Sequence, residues 1–174
     1  MNQRPHLQCS ALRFTGLAIT GVALFVCAFG AMGFARIHAD EKKVSAIYVV
    51  LHKDNGADAE DMTTTVIREI FLKQRASFPN NKDAEPVNQK DDSAARKLFL
   101  SKVLKMTEAE LTKHWDKEKV RSGKTKPKEC TGDDKTFAKV SRSTEAIGYI
   151  SKKYYDDLSA EDKALLKIVE TVEE

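Results

Sequence analysis

The sequence predicts an α/β domain with a mainly parallel sheet flanked by helices. Three observations lead there. Val44-Ser45-Ala46-Ile47-Tyr48-Val49-Val50-Leu51 is a nearly continuous apolar run, rich in β-branched residues, as in a strand buried on both faces. Short apolar runs then alternate with stretches of helical periodicity down to the C-terminus. Pro86 to Phe99 reads as a strand, a polar turn and a helix start, the local unit from which such sheets are built.

The first 39 residues read differently. Arg4 and Arg13 precede an uncharged run from Phe14 to Ala35, and Arg36 closes it. A basic start, an apolar run and small residues after it make a secretory signal. Cleavage fits after Ala35 or after Ala39. The run is also long enough to span a bilayer, so residues 1–39 are a signal peptide or a signal anchor over 14–35. Either way residues 40–174 form a single domain delivered to the periplasm, touching a membrane only through the N-terminal segment.

Charge then narrows the partners. The whole chain carries 29 basic and 26 acidic residues, but Arg4, Arg13 and Arg36 lie in the leader and every acid lies beyond it. Residues 40–174 are therefore neutral overall, which removes the basic face that nucleic-acid binding needs. Cys130 is the single cysteine after residue 39, so no disulfide forms within the domain. Its thiol is buried, reactive or paired with another chain, and burial is the expectation.

The elements follow in order. His52 to Asp58, with Asn55-Gly56, is a turn. Met62, Val66, Ile67, Ile70 and Phe71 recur at helical spacing, with Asp58 or Asp61 at the N-terminus. A loop over 77–82 leads to a strand over 84–89. Ser93 stands at an N-cap, and Ala95, Leu98, Phe99 and Val103 share one face of the helix that follows. Thr107 and Glu110 match a capping box that opens a helix with Leu111 and Trp115 inward. Residues 120–132, polar and basic, read as a loop. Asp133 or Asp134 caps a short helix bearing Phe137 and Val140. Ala146 to Ile150 is a strand, and Ser159 caps a last helix carrying Leu165, Leu166, Val169 and Val172.

No catalytic or metal-binding constellation is visible, and no cofactor motif. His52 and His114 lie far apart, without cysteines or carboxylates at ligand spacing. His114 beside Trp115 reads as a surface residue. Nucleophile-elbow and phosphate-loop patterns are missing, so an enzyme has no support. The strand-to-helix turn does offer chemistry. A helix start presents free N–H groups and a positive dipole end, which suit an oxyanion. The candidate ligand-binding residues are Asn88, Gln89, Asp92, Ser93, Ala94 and Arg96, with Lys124 and Thr125 a weaker second set. Arg96 sits about one turn into the helix, so its head reaches back to the ion or faces solvent, and solvent is favoured.

A longer pattern runs through these elements. Ile70-Phe71-Leu72, Phe78-Pro79, Pro86-Val87-Asn88-Gln89, Ser93, Arg96, Phe99, Val103-Leu104, Leu111, Trp115 and Ala146-Ile147-Gly148-Tyr149 fall in an order that resembles the short PstS-like phosphate ABC transporter substrate-binding proteins. The resemblance covers about Tyr48 to Tyr154. It implies one lobe of the type 2 periplasmic-binding-protein fold and an exported protein that binds phosphate or a similar oxyanion. Its partner would be an inner-membrane permease or another periplasmic protein. In the larger relatives this turn holds the ion with an Arg, an Asp and Ser-Gly-Thr. Asp91 or Asp92 matches the acid and Ser93 the serine, while Asn88 replaces the Arg and Ala94-Ala95 replace Gly-Thr. Lys73, Lys105 and Glu145 also stand where the family carries glycine. A lobe that keeps the fold without the ligand, as a periplasmic or membrane-tethered adaptor, is the alternative.

Overall fold

The computed structural model describes residues 44–174; the leader over 1–39 lies outside the described residues. Strand β1 (Ala46–His52) lies inside the sheet. Helix α1 (Thr64–Phe71) follows, then β2 (Glu85–Gln89) and α2 (Ala94–Phe99), which runs on into a π-helical turn, Leu100–Leu104. Helix α3 (Glu108–Ser122) leads to β3 (Lys128–Cys130), α4 (Gly132–Val140) and β4 (Ala146–Ser151). Short helices α5 (Lys152–Asp157) and α6 (Ala160–Lys163) precede β5 (Leu166–Glu173).

The five strands lie in the order β3-β2-β4-β1-β5. β2 is parallel to β3 and to β4, and this parallel half carries the candidate site. The expected α/β sheet flanked by helices is therefore present. β1 is buried on both faces, as its apolar run requires, yet it pairs antiparallel with both β4 and β5. Burial on two faces comes from helices packing on each side and does not set strand direction.

Ile47, Val49 and Leu51 point into the larger core with α1, α2 and the π turn, where Phe71, Phe99 and Tyr149 meet. Tyr149 and Phe99 stack with centroids 4.2 Å apart, and Phe71 lies 4.5 Å from Phe99. Val50 points the other way, into a smaller core under α4. There Gly148 lets α4 approach the sheet: a Cβ on it would lie 2.6 Å from the Thr136 methyl.

Several expectations need correction. Thr63, not Asp58 or Asp61, caps α1 through its side-chain oxygen. α3 extends to Ser122, and the polar stretch read as a loop contains β3. Thr131 stands at the N-cap of α4, leaving Asp133 and Asp134 in its first turn. Ser159 does cap a helix, but that helix ends at Lys163; Leu165 lies in the turn after it, and Leu166, Val169 and Val172 belong to β5.

Lys73 and Lys105 sit at φ of 52° and 53°, so the glycine replacements keep a left-handed backbone. After α1, Lys73 N–H bonds to Ile70 O at 3.0 Å and Gln74 N–H to Glu69 O at 2.8 Å, the two bonds of a Schellman cap with lysine at the glycine position. L-residues there crowd Cβ against backbone. Lys73→Gly and Lys105→Gly should each stabilise the fold by about 1 kcal/mol, raising Tm by about 3 °C. Unchanged or lower melting temperatures for both would refute this account of the two helix ends.

Candidate functional site

The carboxyl ends of β2 and β4 open beside each other, and the starts of α2 and α4 come to the same place. Together they line a pocket of about 310 Å³. Gln89 contributes from β2 and Asp92 to Ala95 from the turn and α2. Thr131 to Asp133 come from the start of α4, and Ser151 from β4. A groove of about 380 Å³ adjoins it along α2, past Leu98 and Lys102, and shares Val44 and Ala94. The smaller pocket is the better candidate, because polar groups from four elements converge there.

Ser93 caps α2: its Oγ accepts from Arg96 N–H at 3.4 Å and donates to Gln89 Oε1. Gln89 is the hub of the pocket. Its Nε2 donates to Asp133 Oδ1 at 2.8 Å and to Tyr149 O at 2.9 Å. Asp133 also accepts from Ser151, whose N–H lies 3.0 Å from Oδ1 and whose hydroxyl lies 2.5 Å from Oδ2. The N-cap Thr131 makes no side-chain bond to α4, so the first N–H groups of that helix face the pocket without a side-chain cap. Among the described lining residues two are carboxylates, Asp92 and Asp133, and none is a cation.

Asn88 is held elsewhere. Buried on the opposite face of β2, its Oδ1 accepts from the Tyr149 hydroxyl, which in turn accepts from Gln89 N–H at 3.1 Å. Burial pushes the Tyr149 phenol above its ordinary pKa, so the proton stays on as a donor.

Arg96 overturns the expectation of a solvent-facing side chain. It is 3% exposed. Nε and Nη2 fork onto Glu108 at 2.5 and 3.0 Å, and Nη1 donates to Gln89 O at 2.6 Å. Asp91 lies 3.2 Å from Nη2 and Glu129 3.6 Å from Nη1. Burial works against the charge, but the Glu108 hydrogen bonds and the surrounding carboxylates outweigh it and raise the pKa. These groups border a separate cavity of about 260 Å³ beside Trp115. Gln89, Asp92, Ser93 and Ala94 are thus gathered at one pocket, whereas Asn88 and Arg96 border the other.

Sequence reasoning missed Asp133 and Ser151 as pocket residues. Ser151 caps α5, accepting from Tyr154 N–H at 3.2 Å, and that cap was the available signal. Lys124 is tied to Lys73 O at 2.7 Å, away from this pocket. His114 is half-buried, edge-on to Trp115 at 4.9 Å, not a surface residue. Cys130 is half-buried on β3, and burial raises its thiol pKa, which disfavours the reactive thiolate. Among the described residues no group of three or more His, Cys, Asp or Glu side chains could hold a metal ion. No helix there is long and apolar enough to cross a membrane.

The fold resembles part of several solved substrate-binding proteins. The chain resembles a Clostridium perfringens protein described as a phosphate ABC transporter substrate-binding protein, solved with bound phosphate, at a TM-score of 0.53 and 19% identity. That alignment covers 74% of this chain and 46% of the other. PstS from Borrelia burgdorferi gives 0.53 at 13% identity, covering 72% of this chain and 47% of that one. An ABC-type phosphate transport receptor from Vibrio cholerae gives 0.51 at 13%, covering 72% and 46%. At these identities the likeness is one of fold, and the chain spans less than half the length of each. The chain matches no protein-family model and no curated protein.

Proposed function

We propose that residues 40–174 are a one-lobe, exported solute-binding module that takes a tetrahedral oxyanion, phosphate in the first instance, in the Ser93 pocket. The observation that carries this is the convergence of two helix starts on the ends of two parallel strands. The first N–H groups of α2 and α4 supply donors that their helices leave unused, and the Ser93 hydroxyl adds one by turning from Gln89 Oε1 to the ion. Asp92 and Asp133 are acceptors, so the ion that suits them still carries a proton. Gln89, Asp92, Ser93 and Ala94 are the contacting residues in this reading, joined by Asp133 and Ser151; Asn88 and Arg96 shape the site from behind. The phosphate-binding neighbours support the ligand class. An inner-membrane permease or another periplasmic protein as partner, and export through residues 1–39, belong to the same proposal.

A single lobe leaves one side of the ion in water, so the expected affinity is near millimolar. Calorimetric titration of the full-length protein in mild detergent, with phosphate at low salt and sulfate as control, tests it. Saturable phosphate binding, weaker for sulfate and about tenfold weaker in Ser93→Ala, is the expected result. Neither heat nor thermal stabilisation at millimolar phosphate would remove the ligand and favour the second reading. That reading is an adaptor, periplasmic or membrane-tethered, which keeps the fold without a ligand. One observation favours it: Asp133 already occupies donors that an external ion would use.

A further inference from the structure

The Ser93 pocket and the Arg96 cavity lie on opposite sides of one residue, Gln89. We infer that Arg96 is a positioning residue that sets the anion affinity of the Ser93 pocket through Gln89, and that Glu108 opposes it as an electrostatic counterweight. This rests on the solute-binding reading of that pocket.

The geometry supplies both halves of the argument. Arg96 Nη1 donates to the Gln89 carbonyl at 2.6 Å, fixing the end of β2 from behind. The Gln89 side chain then reaches the other way, to Ser93 and Asp133, which line the pocket. A shift of the Gln89 backbone therefore moves two pocket residues together. The second half is charge. The Ser93 pocket carries two carboxylates and no cation among its described lining, so an anion there needs a positive field from behind. Arg96 is 3% exposed, so its field is poorly screened by water. Glu108 takes up that charge through its two bonds to the guanidinium, and Asp91 at 3.2 Å and Glu129 at 3.6 Å add two more carboxylates, so the cluster behind the pocket is negative overall.

Two substitutions have opposite expected signs. Glu108→Gln removes one of the three carboxylates on Arg96 and keeps an amide oxygen that still accepts from the guanidinium, so the field at the pocket becomes less negative. Arg96→Lys keeps a cation but loses the fork, because one ammonium cannot span Gln89 O and both Glu108 oxygens. Both changes lower thermal stability. If Arg96 were only a structural buried charge, binding would follow stability downward in both.

The measurement is phosphate affinity of full-length wild type, Glu108→Gln and Arg96→Lys by calorimetry at low salt, with Tm recorded for each. The expected result is about threefold tighter binding in Glu108→Gln and about tenfold weaker binding in Arg96→Lys, both melting below wild type. Wild-type binding with unchanged or weaker affinity in Glu108→Gln overturns this inference and leaves the solute-binding reading standing. Absence of phosphate binding by the wild type overturns both.

Discussion

Phe99→Ala should lower the folding stability by about 4 kcal/mol, read as a shift in denaturant midpoint at constant slope. Phe99 is fully buried. It lies between Phe71 and Tyr149, with centroid distances of 4.5 and 4.2 Å, and its truncation opens a void between α1, α2 and the sheet. The effect reaches the site, because the Tyr149 ring that stacks on Phe99 carries the hydroxyl that holds Asn88 and Gln89 N–H. Phe99→Leu keeps most of the volume and should cost roughly 1 kcal/mol. A loss under about 2 kcal/mol in Phe99→Ala would mean that the core collapses around the gap, against the interlocked ring geometry.

Gly148→Ala should cost about 2–3 kcal/mol, for a reason that a second substitution can isolate. The added Cβ would lie 2.6 Å from Thr136 Cγ2 and 3.2 Å from Val140 Cγ2. Thr136 cannot swing aside, because it is fully buried and its hydroxyl donates to Gly132 O at 3.0 Å. The strain therefore falls on α4 as a body, and α4 carries Asp133 into the pocket. Thr136→Ser removes the offending methyl and keeps the hydroxyl. In the double variant, stability and phosphate affinity should both recover by more than the separate effects add to. Strict additivity would show that the clash is relieved elsewhere and that α4 does not transmit it.

Local chemistry was legible where one residue type does one job. Ser93 caps α2, and Thr107 with Glu110 forms a full capping box, with Thr107 N–H 2.8 Å from Glu110 Oε2. β1 and β4 announced themselves by apolar runs, and β2 by its place just before the Ser93 turn. β3 did not, since Lys128-Glu129-Cys130 is three residues, polar, and a strand because β2 offers it a parallel edge. The misreading of β5 has a definite cause. Its pairing with β1 skips Val169, with Val50 opposite Ile168 and Val49 opposite Glu170, which is a bulge. The extra residue turns an alternating pattern into buried Leu166, Val169 and Val172, a spacing of three that mimics a helix. Of the site, the Ser93 turn could be read from sequence. Asp133 could not be brought to it without knowing that β4 lies beside β2, and the burial of Arg96 depends on Glu108 from another helix. The lysines at glycine positions kept a left-handed backbone because the helix-end hydrogen bonds fix it, whatever residue stands there.

β1 begins and β5 ends at the same margin of the sheet: Ala46 faces Glu173, and Glu174 N–H bonds to Ser45 O at 3.0 Å. A tension applied between residues 44 and 174 would therefore act across the rungs of the antiparallel ladder rather than along the strands. Such a load opens rungs one after another, like a zipper, instead of shearing them all at once. Mechanically this lobe is a soft link, one that yields from its termini inward, starting at the margin where the Ser93 pocket opens.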